Sequence, residues 1–199
     1  DRKNIKINDY SGWLLSTSTC CSYINNILKF FIENNSYVNL HDILLSPYFM
    51  PDVSLSEKNI FLKNSYLFQK DNIDASLDNF IHNKINANNN LTKLFINPID
   101  KKELYTFLQF KKILTNILID FNSQKDIEDD EAGKEFYKAI KFMEEIHRNN
   151  SKEFLYSNWY KKLMNYLESK TFQIPVNSKI YYTDIKHALL YNFDKIYIN

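Results

Sequence analysis

The sequence predicts an all-α protein, an irregular multi-helix bundle of about seven helices with short irregular connections. Three observations carry that reading. Apolar residues make up 44% of the chain and aromatics 16%, with 15 Phe and 14 Tyr, which is ample material for a core. Only 2 Gly and 4 Pro occur in 199 residues, too few for the tight hairpins of an all-β domain or the glycine-rich loops of a nucleotide-binding fold. Most apolar residues also recur at steps of three and four, the helical period.

Residues 13–32, WLLSTSTCCSYINNILKFFI, have the length of a membrane span but eight polar positions in twenty. On a helix, Trp13, Thr17, Cys20, Ile24, Ile27 and Phe31 form one stripe with Leu14, Cys21 and Leu28 beside it. Ser18, Ser22, Asn25, Lys29 and Glu33 take the opposite side. The expectation is an amphipathic helix capped by Ser11, with Cys20 and Cys21 as small buried hydrophobes rather than an acylated or redox-sensing pair. Adjacent cysteines are too strained to bond each other, and without a third there is no disulfide framework or Cys-rich zinc site.

Pro47 and Pro51 then confine any helix to a turn or two at residues 40–45. Ser54 and Glu57 have the spacing of a capping box, opening a helix to Asp71 anchored by Ile60, Leu62, Tyr66 and Leu67. Asp74 caps a short helix carrying Leu77, Phe80, Ile81 and Ile85, and the Asn-rich run at 86–90 ends it. The chain reads as one helical domain over 1–199, with an internal loop boundary placed at 86–98.

Asn97 and Pro98 suit the cap and first position of a helix through Phe121, with Leu104, Phe107, Leu108, Lys111, Leu114, Ile117 and Leu118 in period. Acidic residues 126–131 precede a helix over 129–147 with Ala132, Phe136, Ala139, Ile140, Met143 and Ile146 on one face; carboxylates there suit its positive end. The patch lacks the glycine and alternating ligands of an EF-hand loop. Ser151 caps a helix to about Ser169 with Leu155, Trp159, Leu163, Tyr166 and Leu167 buried. One short extended segment is expected near residues 172–182, where Pro175 would keep a strand at an edge. A last helix starts at Thr183 or Asp184.

Charge and motifs exclude more than they assign. The net charge is +1, shared evenly between the halves, and Lys outnumbers Arg 23 to two, so neither nucleic acid nor an anionic membrane has an electrostatic footprint. Aromatics interleaved with lysines, as in NWYKKLMNYL, fall at core spacing rather than forming a stacking platform. The 26 Asn residues and the Lys, Ile, Tyr and Phe bias read as the codon usage of an AT-rich genome, as in some parasitic protozoa. Sequons at Asn34, Asn90 and Asn149 are no more than such a composition produces by chance. The chain opens on Asp1 without an initiator Met and is expected to be excised from a larger protein, so its compartment is not read.

His41, His82, His147 and His187 form no i, i+3 or i+4 pair, and no nucleophile-elbow, P-loop or dinucleotide motif occurs. No catalytic residue, metal or cofactor is assigned. The function expected by elimination is a non-catalytic module for protein–protein interaction or scaffolding, and the alternative is a peripheral membrane or lipid-binding helical domain. Candidate partner contacts are Tyr48, Phe49 and Met50 in the loop at 46–53, and Tyr181 and Tyr182 in the segment at 172–182, because no regular helix obliges these residues to be buried.

Overall fold

The structure, a computed structural model, describes residues 8–9, 12–33, 37–71, 77, 79–81, 90–148, 152–172 and 181–182. Among them the chain is all-α: an irregular bundle of eight delimited helices tied by three two-stranded ladders. The helices are α1 (Thr19–Ile32), α2 (Tyr37–Leu45), α3 (Leu55–Asp71), α4 (Asn90–Leu94), α5 (Phe107–Asp120), α6 (Gln124–Asp129), α7 (Glu131–His147) and α8 (Tyr156–Glu168). The strands are β1 (Asn8–Asp9), β2 (Trp13–Leu14), β3 (Leu104–Tyr105), β4 (Phe154–Leu155), β5 (Thr171–Phe172) and β6 (Tyr181–Tyr182). β1 pairs with β6 in parallel, while β2–β5 and β3–β4 are antiparallel.

Helix α1 is the axis, packed against α2, α7 and α8. It starts at Thr19, later than its apolar spacing suggests. Gly12 takes φ 71°, which sets Trp13 and Leu14 into an extended pair opposite Phe172 and Thr171. Ser18, expected on the wet side, is the buried N-cap whose Oγ accepts from the Cys21 N–H at 3.1 Å. From Cys20 onward the predicted stripe is buried as read, including both free cysteines.

Three other boundaries differ from the apolar pattern, two through a side-chain cap and one through a strand ladder. Thr106 and Gln109 form a reciprocal capping box, so α5 begins at Phe107 and not at Pro98. Asp130 Oδ1 accepts from the Gly133 N–H at 2.9 Å, so the expected 129–147 helix starts at Glu131 as α7, and α6 is an additional short helix ahead of it, in a stretch not read as helical. Leu104–Tyr105 pairs with Phe154–Leu155, so α8 starts at Tyr156 rather than after Ser151. The Ser54–Glu57 capping box forms as expected, with Glu57 Oε2 accepting from the Ser54 N–H at 3.1 Å.

The buried residues form one cluster from Leu15 to Leu167. Phe95, inside the stretch marked as a loop boundary, lies at its centre, with ring centroids 5.3 Å from Phe30, 5.9 Å from Phe49, 5.8 Å from Phe61 and 5.4 Å from Phe121. Trp159 organises the other end, its Nε1 donating to the Tyr105 carbonyl at 2.6 Å and its ring edge-on to Phe107 and Phe154. Leu77, Phe80 and Ile81 are buried, as the helix proposed after Asp74 requires. Asp74, Ile85 and the last helix at Thr183 lie outside the described residues. Of the expected extended segment, Phe172 and residues 181–182 are in ladders, and 173–180 lie outside the described residues.

Candidate functional site

Of the five residues singled out as partner contacts, the loop at 46–53 places three. Phe49 is fully buried, stacked on Phe95 and edge-on to Phe121 at 5.1 Å, so it packs the core and is not offered to a partner. Met50 is half-buried at φ 38°, held there by its N–H, which donates to the Phe121 carbonyl at 2.9 Å. Tyr48 is half-buried beside Tyr23. Tyr181 and Tyr182 pair through their backbones with Asn8 and Asp9; their side chains are outside the described set.

The loop is clamped from α3. Lys58 is buried, its Nζ donates to the Phe49 carbonyl, and its ammonium stands 5.4 Å from the Phe49 ring centroid. Desolvation lowers the Lys58 pKa. With Lys58, Phe61 and Ser65 turned inward, α3 is rotated from the orientation its apolar residues suggest. Leu55, Ile60, Tyr66 and Leu67 point outward, Ile60 at 59% and Tyr66 at 64% exposure. On the helical wheel Leu55, Leu62 and Tyr66 line one flank and Ile60 and Leu67 the other, with the exposed Lys63 and Lys70 two turns apart between them.

A second feature is a cavity of about 330 Å³ at the head of α1. Trp13 and Phe172 wall it from the β2–β5 ladder, Tyr48 from the loop, and Asp130 and Ala132 from the start of α7, while Cys20 and the cap residues of α1 form the rest. Cys21 lowers its own pKa by accepting the Cys20 hydrogen bond; that bond, followed by burial, pushes the Cys20 thiol up. Burial first, and then the neighbouring Cys20 and the Asp130 carboxylate, push the Tyr48 phenol up as well. A buried thiol held protonated is a poor nucleophile.

The remaining chemistry-bearing side chains are dispersed. His41 Nδ1 lies 3.2 Å from Asp42 Oδ1 on the exposed side of α2. His147 packs on Trp159 and Phe107, its pKa lowered by desolvation and then by Lys162 and Lys152. Among the described residues no group of three or more His, Cys, Asp or Glu is placed to hold a metal ion, and no helix is long and apolar enough to cross a membrane. Sequence reasoning missed both features for identifiable reasons. Gly12 ahead of Trp13 was the available sign of a turn, and the i, i+3, i+7 spacing of Lys58, Phe61 and Ser65 hides an inward face behind polar letters. Comparison with protein-family models, with curated proteins and with solved structures gave no match in any of the three.

Proposed function

We propose that the chain is a non-catalytic protein–protein interaction module whose binding surface is the outward face of α3. One observation carries the reading: α3 buries Phe61 together with a lysine and a serine, yet leaves Leu55, Ile60, Tyr66 and Leu67 exposed, four large apolar side chains that its own core does not use. Two apolar flanks with Lys63 and Lys70 between them fit an amphipathic partner helix that carries carboxylates along its apolar ridge. Complementary charges along the seam set register and on-rate, and the apolar flanks supply the affinity.

The test is a pull-down from native extract with the wild-type chain and with an Ile60→Glu, Tyr66→Glu, Leu67→Glu variant. All three positions are exposed, so the variant should melt like the wild type. The reading expects a near-stoichiometric partner on the wild-type bait that falls by about tenfold or more on the variant. Equal capture by two folded baits would refute it.

A further inference from the structure

We propose that the cavity at the head of α1 is a binding site for a methylated, quaternary ammonium group of the choline type. Its lining combines three aromatic side chains, Trp13, Tyr48 and Phe172, with one carboxylate, Asp130, and no basic side chain among the described lining residues. Rings around a carboxylate are the arrangement that binds a cation too bulky and too poorly hydrated to form ordinary hydrogen bonds. Trp13 and Phe172 are direct cross-strand partners, so their side chains leave the ladder on the same side and form one wall. The cavity volume of about 330 Å³ is at the small end of ligand pockets, sized for a headgroup.

An anion is the competing occupant, because the N-termini of α1 and α7 meet here and each carries about half a positive charge. Both ends are already capped: Ser18 Oγ accepts from Cys21 and Asp130 Oδ1 from Gly133. An incoming anion would meet the Asp130 carboxylate with no Lys or Arg among the described lining residues to offset it. For a cation the Asp130 charge balances the two helix ends, and the three aromatic side chains in the lining then decide the sign in its favour.

The experiment is a choline titration of the full chain, followed by intrinsic fluorescence and by calorimetry. Trp13 is 60% exposed and Trp159 is fully buried, so a saturable change in emission reports on the cavity. The comparators are the neutral isostere, with tert-butyl in place of trimethylammonium, and Asp130→Asn, which keeps the α7 cap because Asn caps as well as Asp. The proposal expects each comparator to weaken binding by about tenfold or more, with the melting curve of Asp130→Asn unchanged. Trp13→Ala, read by calorimetry, should lose binding. Phosphatidylcholine vesicles distinguish the source of the group: flotation that Asp130→Asn abolishes assigns a lipid headgroup, and choline binding without flotation assigns a soluble ligand. No saturable response up to about 10 mM choline and no Asp130-dependent flotation, or an isostere or Asp130→Asn that leaves binding unchanged, overturns it.

Discussion

Tyr156 carries a polar atom where its surroundings offer no bond. Its ring is buried against Phe110 at 4.6 Å and Tyr105 at 5.7 Å, and its hydroxyl has no hydrogen-bond partner among the described residues. A buried unpaired hydroxyl costs free energy that a phenyl ring of the same shape does not. Tyr156→Phe is therefore expected to leave stability within about 0.5 kcal/mol of wild type or to raise it, measured by urea unfolding. A loss above about 1 kcal/mol would mean that the hydroxyl is bonded after all. His147 makes a related prediction through pH. Burial holds its folded pKa below the ordinary 6.5, so the unfolded chain takes up the proton first as pH falls. Stability should then decline as pH drops through that value, and the melting temperature of His147→Gln should change less between about pH 7.5 and about pH 5.5 than that of wild type. Parallel pH profiles would contradict this. Single residues were legible where they lay inside a helix, as with Ile24, Ile27, Trp159 and Leu163. Phe49 was misplaced because a loop position was taken to be free of the core, whereas Lys58 and Phe95 draw it inward.

At the scale of elements, α6 and α7 meet through Gly133. A Cβ built there would lie 1.8 Å from the Ile127 carbonyl oxygen, a backbone atom that cannot swing away. Alanine in a helix ordinarily gains about 1 kcal/mol over glycine, but the overlap reverses the sign. Gly133→Ala is expected to cost about 3 kcal/mol in chemical denaturation, and a stabilised variant would show that α6 can move away from α7. The longer helices α1, α3, α5, α7 and α8 were legible in order because helical periodicity is a property of the whole segment, whereas the short α4 and α6, of five and six residues, carry too little period to be read. The starts of the longer helices were less legible, because Ser18, Thr106 and Asp130 each end a competing pattern with a cap. Helix α3 was found with both ends correct, yet turned the wrong way. A wheel that counts Ile, Tyr and Leu as inward cannot anticipate that Lys58 reaches the Phe49 carbonyl while its stem packs in the core.

For the whole molecule, phenylalanines from α1, α3, the 46–53 loop, the segment after α4 and the end of α5 meet around Phe95. The all-α class follows from composition and period, but this convergence joins residues far apart in sequence, and no local pattern announces it. The two surface features have the same origin. The cavity needs Gly12, β5 and the Asp130 cap brought together, and the α3 face needs Lys58 inside. The central claim is that the outward face of α3 binds a protein partner, and hydrogen exchange of the chain with and without the captured partner tests it most directly. The account predicts slowed exchange in peptides covering Leu55–Asp71 and unchanged exchange in those covering Phe107–Asp120. Protection confined to the 46–53 loop, or spread evenly over the chain, would contradict it.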